Sequence, residues 1–463
     1  MKKSFYLLSS VICALLSITS LSAQDFTGKW IGTLILDDEP IIKVGLHITQ
    51  TETGTYSTNM TSPDQGVMQI PTQSTLIKGD SIEVKSPIIM AEFSGKWIED
   101  KIEGVFKQMG VAYALTLVRD SSKLVRPQMP KAPFPYDVEE VRIFNKKDSI
   151  HLAGTLTLPK DKKATHTVIL VTGSGAQNRD EELLGHKPFW VIADFLTRKG
   201  IAVLRCDDRG TAMSEGNFAT ATNADFATDV MACVDYLKAH PRISPRGIGI
   251  AGHSAGGSIA FRVAAQRKDI AFIISLAGAT ASMSETSLFQ IIRALDLQGV
   301  TGKAKQQYID WVKKMYMVCE DTSKSPEEVT KAIDEIVEAD SGYKVLRSPI
   351  RENVKKQFLQ LSTPWFLDSF RHKVSQDIAQ TRCPVWAVNG ERDKQVEAKT
   401  HLDVIKKTLP ARILKRSVIK EYPGLNHLFQ TCTTGDLSEY GKIEETIAPQ
   451  VLEDMSAWIL QLK

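Results

Sequence analysis

Three residue types that together can break an acyl bond stand in one order along the second half of this sequence: Ser254, Asp393 and His427. Ser254 lies in Gly252-His253-Ser254-Ala255-Gly256, directly after the apolar run Ile248–Ala251 and before a helical pattern. A serine hydroxyl becomes a nucleophile only beside a base, and a sharp strand-to-helix turn is where such a serine is exposed. Glycines suit a turn too tight for side chains, and the helix start aims N–H groups and its positive dipole end at the oxygen. A phosphate loop or a plain turn would leave the same five letters, but no phosphate-loop lysine accompanies them. The base has to be a histidine oriented by a carboxylate. His372 and His401 lie in helix-like polar stretches, whereas His427 follows a late strand in the loop Tyr422-Pro423-Gly424-Leu425-Asn426-His427. The carboxylate is expected in the exit loop of the preceding strand, Val385–Val388, where Glu391 and Asp393 compete. Asp393 is favoured; the alternative is that both carboxylates merely cap the following helix.

Acyl transfer also needs donors for the developing oxyanion. One is the N–H after the nucleophile, that of Ala255. The other is expected in Gly173-Ser174-Gly175-Ala176-Gln177, which follows the strand-like run Val168–Thr172; Ala176 and Gln177 are the two candidates. Asp207-Asp208-Arg209-Gly210 follows another strand, and its arginine reads as a structural ion pair sooner than as a carboxylate binder. Asn178, Arg179 and Asp180 either rim the pocket or stabilise their loop. Trp190 and Phe195 read as helix core. No metal cluster and no dinucleotide G-x-G-x-x-G is present, so no metal or cofactor is expected.

The elements that must position these residues are legible in the apolar patterning. Strand-like runs at Val168–Thr172, Ala202–Arg205, Ile248–Ala251 and Ile270–Leu276 are apolar on both faces, as in a sheet covered on both sides. Helical patterns at Phe189–Arg198, Phe226–Leu237 and Ser258–Ala265 separate them, which predicts a doubly wound, mostly parallel α/β sheet. Ile143 and Leu152–Leu158 read as leading antiparallel strands. The rhythm breaks from about 282 to 380, where helical, polar sequence is inserted; Ser325-Pro326-Glu327-Glu328 is a helix start within it. Insertions at this place sit above the nucleophile, so a helical cap is expected. Residues 24–120 differ in kind: Ile42, Val44, Leu46 and Ile48 alternate, and turn signals such as Ser62-Pro63-Asp64-Gln65-Gly66 recur, as in a small all-β barrel of about eight strands. Residues 121–135 carry four prolines within nine positions and read as a linker to an α/β domain over 136–463.

The 463 residues suffice for two or three domains of about 100–200 residues. Lys+Arg 57 against Asp+Glu 54 leaves a net charge of +3, with no basic block, so no nucleic-acid partner is expected. Lys2 and Lys3, the apolar stretch Phe5–Leu21 and the small residue Ala23 read as a signal peptide over 1–23, hence an exported, periplasmic or secreted chain. No later stretch approaches the ~18 apolar residues a membrane span needs. The cysteines show no metal or framework spacing; most read as buried apolar residues, and one disulfide is conceivable in an exported chain.

Taken jointly, Gly252–Gly256, Asp208–Gly210, Asn389–Asp393 and His427 resemble the α/β-hydrolase superfamily. Gly173–Glu181, Pro364-Trp365-Phe366 and Asn389–Asp393 are similar, more narrowly, to exported bacterial serine esterases. Gly28–Gly32 and Ser62–Gly66 resemble the lipocalin-like domain fused to such enzymes. The sequence departs from relatives at Thr211–Ser214 and Leu367–His372, which bears on pocket shape and not on the three catalytic candidates. The resemblance implies hydrolysis of a small carboxylic ester with a short or medium acyl chain. A serine peptidase, a thioesterase or acyltransferase, and a binding module with a vestigial hydrolase domain are the alternatives.

Overall fold

The computed structural model describes residues 25–462 except 51–53, 64–66, 109, 121–125, 161, 341–343 and 345–347. The expected signal peptide lies outside the described residues. The chain divides into two units, one ending at Ser122 and the other starting at Lys123.

The first unit is a single antiparallel sheet of nine strands: β1 (Gly28–Leu36), β2 (Glu39–Gln50), β3 (Tyr56–Ser62), β4 (Val67–Pro71), β5 (Ser74–Lys78), β6 (Ser81–Ser86), β7 (Ala91–Ile98), β8 (Lys101–Gln108) and β9 (Val111–Arg119). Their order is β4-β3-β2-β1-β9-β8-β7-β6-β5, so the two ends of the sheet belong to consecutive strands. Thr72 and Thr75 hydroxyls donate to the Thr58 carbonyl and hydroxyl at 2.6 and 2.8 Å, nearly closing a barrel. Val44, Leu46 and Ile48 point into it with Phe26, Trp30, Phe93 and Phe106, as period-two alternation requires.

The second unit holds an eight-stranded sheet: β10 (Tyr136–Asn145), β11 (Ile150–Pro159), β12 (Thr167–Val171), β13 (Ala202–Cys206), β14 (Ile248–His253), β15 (Ile273–Leu276), β16 (Val385–Gly390) and β17 (Val418–Tyr422). The order is β10-β11-β13-β12-β14-β15-β16-β17, antiparallel for the first three and parallel from β13 onward. Alternate residues of one strand feed opposite cores. Ile169, Ile250, Ile273 and Ala387 face one, while Leu170, Ala251, Ile274 and Trp386 face the other. That is why these strands carry no polar stripe. Helices α1 (Pro188–Arg198), α2 (Asn223–Ala239) and α3 (Ala255–Gln266) are the crossovers. On α1 the buried residues are Phe189, Val191, Ile192, Ala193 and Leu196; Trp190 and Phe195 are only half-buried, under Lys187 and Lys199.

The crossover from β15 to β16 carries helices between Met283 and Gln380, with a separate core of Val312, Met315, Tyr316, Val329, Ile333 and Phe370. Two of these helices start at capping boxes. Ser282 pairs with Glu285, and Ser325 with Glu328. Residues of the proline-rich stretch are docked on this unit: Arg126 donates to the carbonyls of Leu184, Gly441 and Ile443, and Gln128 to that of Ile447. The five cysteines of the described residues are all free thiols. Among the described residues no helix is long and apolar enough to cross a membrane.

Candidate active site

The functional candidates gather where the parallel strands end at their carboxyl side. β14 runs into α3 with no intervening loop, and Ser254 makes the turn at φ 52°, ψ −119°. A non-glycine residue rarely adopts that conformation, and it persists only where packing over-determines it. The glycines supply that packing. A Cβ on Gly252 would come within 2.0 Å of the Gly256 carbonyl oxygen, and one on Gly256 within 2.2 Å of Val171's. Ala255 opens α3, where its N–H has no partner within the helix.

Asp393 and His427 are brought together. Asp393 Oδ2 lies 2.7 Å from His427 Nδ1, and both residues are 3% exposed. The other carboxylate oxygen accepts the amides of Gln395 and Val396 at 2.7 and 2.9 Å, which fixes the rotamer. Glu391 points elsewhere and accepts the Gly424 amide at 2.8 Å, so it holds the turn before His427. The His427 loop is shaped by Asn426, fully buried, whose Oδ1 accepts the Leu428 and Gln430 amides. His401 is a structural residue: its Nδ1 accepts the amides of Thr280 and Ala281, and burial pushes its pKa down to about 4. His372 lies beside Asp377, with Nε2 at 2.5 Å from its carboxylate.

In the loop after β12 the two expected donors differ in their surroundings. The Gln177 amide is donated to Asp208 at 3.0 Å, so it is already engaged, whereas Ala176 is exposed together with Ser174 and Gly175. Ser174 and Gly175 are the loop residues that reach the cavity beside Ser254 and Ala255. Peptide orientation is not written in residue type. Burial pushes the Asp208 carboxyl up to about 7, against the hydrogen bonds from Thr172 and Gln177.

Arg209 is bound to Asp229 and Asp148, and Arg179 to Asp207, as structural ion pairs. Arg205 pairs with Asp180 behind them. None of the three guanidinium groups lines the cavity.

Among the described residues no group of His, Cys, Asp or Glu could hold a metal ion. The cavity at Ser254 measures about 700 Å³ and lies between the sheet and the inserted helices. Ile259, Met283, Trp365, Phe366 and Val396 give it apolar walls, and Arg262 at its edge is paired with Asp368. Among the described residues no Asp or Glu lines it.

The profile of the X-Pro dipeptidyl-peptidase (S15) family matches residues 148–410, more than half of the chain. The chain belongs to the S15 family. The matched span of this S15 member holds Ser254 and Asp393 and ends before His427. Esterase EstD of Thermotoga maritima is 31% identical over 117 residues, which is 25% of this chain and 28% of that protein. The match therefore spans less than a third of that relative's length. Among solved structures, the α/β hydrolase GrgF of a Penicillium species is 14% identical with TM-score 0.45, covering 70% of this chain and 99% of that one. An esterase of Pyrococcus furiosus is 16% identical with TM-score 0.43, covering 74% and 99%. An esterase of Butyrivibrio proteoclasticus with ferulic acid bound is 20% identical with TM-score 0.40, covering 70% and 98%. The S15 chain is an α/β hydrolase with an N-terminal β-barrel-like unit.

Proposed function

We propose that this chain hydrolyses carboxylic esters through Ser254, His427 and Asp393. The observation that carries the reading is the buried Asp393–His427 pair beside a strained serine that opens onto a largely apolar cavity. His427 Nδ1–H donates to Asp393, which leaves Nε2 as the base. Nε2 takes the Ser254 proton as Oγ attacks the acyl carbon. The amides of Ala255 and Ser174 receive the oxyanion, and the protonated His427 gives its proton to the leaving alcohol. Water, deprotonated by His427, then releases the acid from the acyl-enzyme. Removing one oxyanion donor raises such a barrier by about 2.7–4 kcal/mol.

The family match favours a second reading, release of a dipeptide from a peptide N-terminus. Such a substrate carries an α-ammonium group that needs a carboxylate, and among the described residues no Asp or Glu lines the cavity. The ester reading is therefore preferred. We also place the chain outside the cytoplasm, with Gln24 as the mature N-terminus; Edman sequencing of the protein exported from its native host checks that position.

Titration with a fluorophosphonate probe, then turnover of a p-nitrophenyl ester series and of Ala-Pro-p-nitroanilide, tests the function. One probe bound per chain, none in Ser254→Ala, and turnover of esters alone are expected. Turnover of the anilide alone would transfer the assignment to the peptidase reading. A folded protein that takes up no probe would end both.

A further inference from the structure

Glu181 and His253 have no part in the chemistry above, yet they touch three segments that meet at Ser254. His253 immediately precedes the nucleophile and is buried. Its Nδ1 lies 3.0 Å from Glu181 Oε1, and its Nε2 lies 3.1 Å from the carbonyl oxygen of His427. A carbonyl and an ionised carboxylate can only accept. Each ring nitrogen therefore needs its own proton, which makes the ring an imidazolium. The same Glu181 oxygen accepts the Gly173 amide at 2.7 Å. One carboxylate atom thus holds the start of the Gly173–Gln177 loop and the ring that holds the His427 loop.

Two further observations support a built arrangement. Glu181 is 5% exposed and sits at φ 50°, a left-handed conformation that costs a side-chain-bearing residue energy. Burial is the largest single influence and opposes charge on His253, but the charge and hydrogen bond of Glu181, the His427 carbonyl and the Asp393 charge together hold the imidazole's pKa above its ordinary value. The titratable groups facing this ring are Glu181 from the loop after β12, Asp393 from the loop after β16, and His427 from the loop after β17. The His427 ring centroid is 4.7 Å away.

We propose that Glu181 and His253 form a standing carboxylate–imidazolium pair that positions His427 and the Gly173–Gln177 loop around Ser254. Its consequence for turnover rests on the ester-hydrolase reading; its protonation does not. Both are positioning residues, acting through groups they hold. As pH rises through the His253 pKa, the Nδ1 proton is lost and a lone pair faces the carboxylate. The loops then lose their common anchor, so kcat falls at alkaline pH. Without the carboxylate the buried ring releases its proton at lower pH, and the alkaline limb moves toward neutrality.

The test uses the full chain with ¹⁵N-labelled histidine side chains, His253 being assigned by its loss in His253→Gln. At pH 7 both His253 nitrogens should carry protons, and in Glu181→Gln the ring should be neutral. With p-nitrophenyl esters, Glu181→Gln should lose about ten- to a hundredfold in kcat with little change in KM, as expected of misplaced groups. Its alkaline limb should move to lower pH, and Glu181→Asp should recover part of the loss. A neutral His253 in the parent at pH 7 would overturn the pair outright, whether or not Glu181→Gln folds. An unchanged kcat and pH profile in a folded Glu181→Gln would overturn its positioning role. If the parent takes up no fluorophosphonate, the ester reading fails separately, and the resonances still decide the pair.

Discussion

Asp393 and Glu391 are two residues apart and have different fates, and the difference is one of hydrogen-bond partners. Asp393 holds a ring nitrogen with one oxygen and two amides with the other, whereas Glu391 holds a turn. Asp393→Asn should keep the geometry but permit the wrong imidazole tautomer, lowering kcat by about 10⁴. Glu391→Gln can still accept the Gly424 amide, so its kcat should stay within a few-fold of the parent. Steady-state kinetics of the two variants side by side checks this, and equal losses would return Glu391 to the site. At this scale the sequence disclosed the residues whose neighbours in the chain already define a turn or a loop. Ser254 and His427 stand out as candidates for that reason. Glu181, His253 and Asn426 do not, because their partners come from distant segments. The motif letters around Ser254 included His253, but nothing local distinguished it from a spacer.

Among the elements, the strand–turn–helix at Ser254 tolerates least. Gly256→Ala would press a methyl group against the Val171 and Thr172 carbonyls, both backbone atoms at the end of β12. The expected cost is about 1–3 kcal/mol, read as a lower midpoint in urea, together with loss of probe uptake. The inserted helices are expected to act on selectivity instead. Trp365 lines the cavity from the helix Pro364–Arg371. Trp365→Ala should enlarge the acyl site and raise the kcat/KM ratio of octanoate over acetate esters about tenfold, since each buried methylene is worth a factor of this order. An unchanged ratio would place the acyl chain elsewhere. The alternation of strands and helices was readable because each strand serves two cores and has no polar face. The barrel was read one strand short. β4 and β5 are separated by only Thr72 and Gln73, a break too brief to stand out among polar residues. On α1, Phe195 packs against the core as a half-buried residue, while Phe189, Val191 and Ile192 hold the fully inward face.

For the whole molecule, buried titratable groups set the dependence of stability on pH. His186 and His401 have pKa values pushed down by burial to about 4. Below the ordinary histidine range the unfolded chain binds protons that these two folded sites refuse. Their contribution is therefore present above about pH 6.5 and is lost as pH falls toward 4. Asp208 has the opposite sign. Its folded pKa lies at about 7, above the unfolded value of 3.8, so its contribution is greatest at low pH and declines as pH rises through 7. The two effects overlap between about pH 4 and 7; His47 and His166, lowered by burial, act in the sense of the histidines, and Asp229, raised by burial, in that of Asp208. Net stability should rise with pH across that window, and Asp208→Asn should steepen the rise. Thermal melts of parent and variant at pH 4.5, 5.5 and 6.5 measure it, and parallel curves would contradict the assignment of Asp208.

The inserted helices leave one strand and return to its immediate neighbour, and they bury a core of their own. Ile274 stays beside Trp386 in the sheet whatever lies between them. Such a segment can be lengthened, traded or rewritten across generations while the carboxyl edge of the sheet keeps its register. A lineage built this way can adopt new substrates without having to reinvent the residues that attack them.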